Sequence, residues 1–150
     1  MDEVLRAGGE DAAQHQRTPP EGFEPIVHSN PFGAHIGPIY EREQNGDFWR
    51  GFYIAKKHAN SAHIAHGGVL MTFADIVLAR AVMRETNGMA VTVRMTCDFL
   101  APARLNAWVE GTAKVSRSTK SLVFVDGTLS VAGKPVFSAQ GLFKPINPRG

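Results

Sequence analysis

Gly67, Gly68 and Asp75 carry the chemistry that stands out in this 150-residue chain. They lie at the start of, and two turns into, an apolar run from His66 to Arg84 or Thr86 that reads as a helix. The first turn of a helix presents backbone N–H groups with no intrahelical partner, and with them positive potential. Glycine there leaves no side chain between those amides and a ligand. Such amides can hold a developing oxyanion, and a nearby carboxylate supplies a base or a nucleophile. Together these residue types point to acyl transfer.

Each feature also has a plain structural explanation. A glycine pair can simply ease close packing, and a helical aspartate is usually solvated or paired one turn away. The one-turn neighbours of Asp75 are Met71, Thr72, Leu78 and Ala79, none of them basic. On a buried helix it therefore needs a tertiary partner, a cleft or an interface. Gly68 and Asp75 share a helix face but stand about 10 Å apart in axial rise. That is too far for Asp75 to serve a carbonyl held at its own helix start. Two antiparallel helices side by side would bring each start to the other's middle, so the spacing predicts a site shared across a two-fold homodimer interface.

The surrounding elements must position these residues. Val69, Leu70, Phe73, Ile76, Val77, Leu78 and Val82 cover nearly the whole circumference of the helix, which marks it as buried. Thr86-Asn87-Gly88 ends it. Upstream, Asn30-Pro31-Phe32-Gly33 reads as a turn followed by loose chain, and Ile36–Glu43 as a first strand with Pro38 near its beginning. Asn45-Gly46-Asp47 is a hairpin turn into the alternating strand Phe48–Ala55. Downstream, Val91, Val93, Met95, Cys97 and Phe99 alternate with Thr92, Arg94, Thr96 and Asp98. After Ala101-Pro102-Ala103, alternation resumes from Leu105 to Val115. A turn at Ser116–Lys120 leads to Leu122–Val131, and Ala132-Gly133-Lys134 to a last strand, Pro135–Phe143. These strands are expected in meander order, each with one apolar face. A one-faced sheet and one apolar helix pack economically when the sheet curls around the helix. The expected class is α+β, a hot-dog fold: a curved antiparallel sheet of about five or six strands wrapped around one long central helix.

Composition sets bounds on the rest. Hydrophobic residues at 43% and a formal charge of +2 predict one domain with a real core, residues 26–150, behind a poorly ordered tail at 1–25. No Lys/Arg stripe suggests nucleic acid, no apolar run is long enough for a bilayer, and no secretory leader is evident. The single cysteine, Cys97, suits a reducing compartment, so a soluble cytoplasmic protein is expected.

The stretch Asn60-Ser61-Ala62-His63-Ile64-Ala65-His66-Gly67-Gly68, followed by Asp75, resembles the phenylacetate-pathway type (PaaI-like) of hot-dog acyl-CoA thioesterase. The likeness runs from about Asn60 to Phe143 and takes in Phe99-Leu100-Ala101-Pro102-Ala103. One departure is His63, where many members carry a small residue, often glycine. The resemblance implies a hydrolase of acyl- or aryl-CoA esters. Gly67 N–H would hold the oxyanion, and Asp75 of the partner subunit would act as general base or nucleophile. Asn60 would orient water or carbonyl, and His66 would shape the loop. Gly68 and Thr92 would support them, Thr92 by bonding the carboxylate, although on its own it reads as an outward strand residue. Arg117, Ser118 and Lys120 lie on the turn where similar enzymes meet the nucleotide end of coenzyme A, which enters as part of the substrate. No separate cofactor or metal is implied. A homodimer, pairing further into a dimer of dimers, is expected.

Three rivals remain open at this stage. His58, His63 and His66 could gather around a metal, although no cysteine or carboxylate set accompanies them. A hot-dog hydratase or dehydratase would share fold and ligand class, but with a catalytic histidine in place of the helix aspartate. A non-catalytic acyl-CoA-binding protein would keep the fold without turnover.

Overall fold

The computed structural model describes residues 17–27 and 30–146. The elements in chain order are β1 (Glu24–Pro25), α1 (Pro31–Ile36), β2 (Tyr40–Gln44), β3 (Asp47–Tyr53), a 3₁₀ turn (Lys56–His58), α2 (Gly67–Thr86), β4 (Met89–Phe99), β5 (Trp108–Ser118), β6 (Val123–Val131) and β7 (Lys134–Ile146). All the strands join one seven-stranded antiparallel sheet in the order β1-β2-β3-β5-β6-β7-β4. The sheet packs around α2, as the hot-dog arrangement requires.

The hairpins follow from local chemistry. Asn45-Gly46 and Ala132-Gly133 both take positive φ at both residues, the two-residue turn whose twist matches the strands. β5, β6 and β7 form the expected meander. β4 does not join β5: it lies beyond β7 as the free edge. Only Asn87 and Gly88 separate α2 from β4, so the helix carries the chain across the concave face to the far edge. Asn87, at φ 52, makes the left-handed exit from the helix.

α2 packs on the sheet through Leu70, Phe73, Ala74, Val77, Leu78, Ala81 and Val82. Burying side chains such as Phe73 and Leu78 contributes about 1.5–3 kcal/mol each. Close approach is possible because the strands beneath carry glycines. A Cβ on Gly127 would lie 2.8 Å from Leu78 Cδ2, and one on Gly141 would lie 3.0 Å from Leu78 Cδ1. The opposite face of α2 is left largely open by the described residues. Met71 and Met83 are exposed there beside half-buried Asp75, Ile76 and Ala79.

Several expectations are corrected at the margins. Asn30-Pro31-Phe32-Gly33 is not loose chain but the beginning of α1. Asn30 Oδ1 accepts from Gly33 N at 2.6 Å, and proline occupies the first turn. Strand β2 consequently starts at Tyr40, not Ile36. β5 begins at Trp108 because Asn106 turns the chain at φ 70, and it runs on to Ser118 through the expected turn. Of the expected tail, residues 1–16 lie outside the described residues. Its last part is packed: Phe23 is buried against the Trp108 ring, and Glu24–Pro25 pair with β2.

Candidate active site

α2 is capped by His66, whose Nδ1 accepts from Gly68 N at 2.9 Å. That bond consumes the second amide of the helix. It also fixes the tautomer, because an imidazole nitrogen that accepts here leaves the proton on Nε2. Among the described residues, no acceptor takes the Gly67 N–H. Glycine at 67 eases a close approach, because a Cβ there would lie 3.0 Å from the exposed Phe99 ring. The helix thus starts with one donor committed to its cap and one left over.

The loop before α2 is held by Asn60. Its Oδ1 accepts from Ala62 N at 2.9 Å and more loosely from Ile64 N, while its backbone N–H donates to Ile64 O. With Oδ1 occupied by the turn, the amide NH₂ is the group Asn60 can offer outward. His63 sits at φ 57, the left-handed conformation that favours glycine. That accounts physically for the small residue common at this position in the PaaI-like pattern.

Asp75, half-buried on the open face of α2, accepts from Thr92 Oγ1 at 2.6 Å through Oδ1. Among the described residues, no cation pairs with it and nothing donates to Oδ2. Thr92 reaches it because β4 bulges between Thr92 and Arg94. The extra residue shifts the alternation by one, turning Thr92 inward with its partner Phe143. Val91 and Val93, expected to face the core, are instead exposed. Nearby, Arg80 leaves the helix to bind Glu41 (2.8 Å) and Glu43 (3.1 Å), and Arg50 also binds Glu41 (2.7 Å). Burial alone would push the Glu41 carboxyl up, but the hydrogen bonds from Arg80 and Arg50 outweigh it and hold it below its ordinary value.

The residues expected at the nucleotide end are more dispersed. A second bulge, between Val115 and Arg117, leaves Arg117 paired with outward Phe124 and Ser118 with buried Val123. Ser118, Val123, Phe143 and Thr92 form one row across the inner face. Ser118 therefore lies about 14 Å from Thr92 at the usual strand spacing. Lys120 is exposed on the following turn. The three histidines do not gather. His58 is buried, with Nδ1 accepting from Ala55 N (2.8 Å) and Nε2 donating to Ile36 O (2.7 Å), and His66 is the helix cap. Among the described residues, no group of three His, Cys, Asp or Glu side chains is placed to hold a metal ion. Nor is any helix among them long and apolar enough to cross a membrane.

What sequence reasoning missed is α1. With Asn30 and Phe32 it borders the cleft that holds Asp75. The signals were present, in an asparagine cap followed by proline at the first helical position.

Comparison with known proteins agrees with the fold. Residues 62–136 match the family model of the thioesterase superfamily. A Pseudomonas aeruginosa protein named as an esterase is 35% identical over 130 residues, 83% of this chain and 95% of that one. Human acyl-coenzyme A thioesterase 13 is 32% identical over 91 residues, 59% of this chain and 64% of that protein. The fold recurs in a phenylacetic acid degradation-related protein of Ralstonia eutropha (TM-score 0.69, 24% identity, 78% and 92% of the two chains). It recurs also in a Bacillus halodurans protein crystallised with CoA (TM-score 0.73, 19% identity, 99% and 94%). The chain belongs to the thioesterase superfamily. Within it the chain has the hot-dog fold and is a thioester hydrolase.

Proposed function

We propose that the protein hydrolyses acyl- or aryl-CoA thioesters to the free acid and CoA, at a site built from two copies of the chain. The observation that carries this reading is the unclaimed Gly67 N–H at the start of α2, with Asp75 on the same helix held by Thr92. The Gly67 amide polarises the thioester carbonyl and holds the charge that develops on its oxygen. Gly67 and Asp75 are separated by about 12 Å of helix rise, so the acid that meets this carbonyl belongs to the partner subunit. Two features support that pairing. The open face of α2 carries Met71, Ile76 and Met83, and β4, an edge strand among the described residues, exposes Val91 and Val93.

Thr92 fixes Oδ1 of Asp75 and leaves Oδ2 to take a proton from water as that water attacks the carbonyl carbon. The tetrahedral intermediate collapses by breaking the C–S bond, and CoA leaves as a thiol after taking up that proton. Direct attack by Oδ2 reaches the same products through a mixed anhydride that water then cleaves. The Asn60 amide orients water or carbonyl. Arg117, Ser118 and Lys120 supply cations and a hydroxyl for the nucleotide phosphates. Further pairing of dimers and a cytoplasmic location complete the reading.

The test is a panel of acyl- and aryl-CoA esters with wild type and Asp75→Asn, followed by free-thiol release and by equilibrium binding. Cleavage that collapses in the variant while binding of the CoA ester persists supports the reading. Binding without cleavage by wild type would make the protein a non-catalytic binder, and equal rates in both would remove Asp75 from the reaction.

A further inference from the structure

Two cavities flank α1. One, of 370 Å³, lies between α1 and the start of α2, against Ile36, His66, Gly68 and Val69. The other, of 540 Å³, follows the open face of α2 past Asp75 to Met83. Among the described residues, Phe32 and Thr72 are the two that line both. Phe32 is the larger, and the residue is 60% exposed.

An exposed phenyl alone needs no explanation. The anchoring of its backbone does. The Asn30 side chain caps the six-residue helix, and Gly37 N donates back to Gly33 O at 3.0 Å. At the other end, Lys57 Nζ donates to His35 O at 2.6 Å and His58 Nε2 to Ile36 O at 2.7 Å. These are the last carbonyls of α1, which lack helical partners. Ile36 itself is buried in the core. The sequence has thus fixed both ends of a very short helix whose outward phenyl stands at the boundary of two cavities. A side chain on so firm a support is preorganised to contact a ligand.

The geometry points to Phe32 as the residue that selects the acyl group of the substrate, an inference that rests on the hydrolase reading above. A thioester whose carbonyl meets Gly67 N–H has its acyl portion beside Gly68 and Val69, where the smaller cavity begins. That cavity has Phe32, Ile36 and Val69 on its apolar side, with His35, Lys57, His58, His66 and Thr72 completing the wall. Phe32 stands between it and the groove that holds Asp75. The chamber's 370 Å³ takes a compact acyl group, an aromatic ring or a chain of a few carbons. A long chain runs into the Phe32 ring.

The experiment measures kcat/KM for butyryl-, phenylacetyl- and decanoyl-CoA with wild type, Phe32→Ala and Phe32→Leu, each checked for native fold by circular dichroism. Wild type should favour the two compact esters. Phe32→Ala should lose about tenfold on phenylacetyl-CoA, mainly through KM, and gain about tenfold on decanoyl-CoA, the scale at which an apolar pocket discriminates. Phe32→Leu, which keeps an apolar wall, should move the ratio the same way by less, and it carries the test if the alanine variant does not fold. A wild-type preference for decanoyl-CoA, or the same selectivity ratio in the folded variants as in wild type, would overturn the assignment while leaving the hydrolase reading intact. If wild type cleaves none of the three esters, the hydrolase reading fails and the assignment with it.

Discussion

Gly67→Pro is the substitution that addresses the oxyanion donor most cleanly. Proline lacks the backbone N–H, and the first helical position is the one place in a helix where that loss costs little. The preceding residue must then stay extended, and His66 already does, at φ −60 and ψ 138. The His66 cap on Gly68 N is untouched. One clash is foreseeable, because an atom at the Cβ position of residue 67 comes within 3.0 Å of the Phe99 ring. That ring belongs to a half-exposed side chain at the sheet edge and can shift. Gly67→Ala is the matched control, since it introduces the same Cβ but keeps the amide. Removing one oxyanion donor typically costs about 3–4 kcal/mol of transition-state stabilisation, or about 10²–10³ in kcat. Gly67→Pro should therefore lose two to three orders of magnitude in kcat relative to Gly67→Ala, with a similar thermal midpoint, in a free-thiol assay on the best ester found. Equal kcat in the two variants would refute the role given to this amide.

Other consequences follow from the same geometry. Thr92→Val removes the 2.6 Å hydroxyl bond to Asp75 Oδ1, so kcat should fall by about 10–100-fold with little change in KM, read from steady-state kinetics. Glu41→Gln leaves Arg50 and Arg80 without their shared carboxylate and should cost about 1–3 kcal/mol in urea unfolding at neutral pH. Because the folded-state pKa of Glu41 lies below its ordinary value of 4.5, this contribution is present above that pH and is lost as pH falls through the folded value. The stabilities of wild type and Glu41→Gln should accordingly converge on acidification. His58→Ala leaves the buried Ala55 N–H and Ile36 C=O without a partner and should destabilise by about 2–4 kcal/mol, loosening α1 as seen by amide exchange at Gly33 and Gly37.

How far the sequence reached depended on whether a feature was encoded locally. The long apolar run of α2 and the Asn45-Gly46 turn declare themselves through side-chain periodicity and turn chemistry. The position of β4 at the far edge does not, because strand order is set by packing between residues distant in sequence. Thr92 shows the same limit at one residue: strict alternation points it outward, and only a bulge, invisible in the pattern, turns it to Asp75. α1 was different, since Asn30 and Pro31 announced a helix start, but the six residues were too few to show a period. The segment around Phe23 looked like tail because a single aromatic carries its packing, against Trp108. Asn60 holds the turn through its side-chain oxygen, a local bond that the residue type alone makes plausible.

The central claim is that each site takes its amide from one chain and its acid from another, and subunit complementation tests it most directly. Gly67→Pro and Asp75→Asn homodimers should each be nearly inactive. Mixing them under conditions that allow subunit exchange pairs an intact Gly67 with an intact Asp75 across the interface of every hybrid. At equal amounts, with random pairing of a two-fold dimer, activity should recover to about a quarter of wild type. A mixture no more active than its two components, with exchange verified by mass spectrometry of tagged chains, would contradict the shared site.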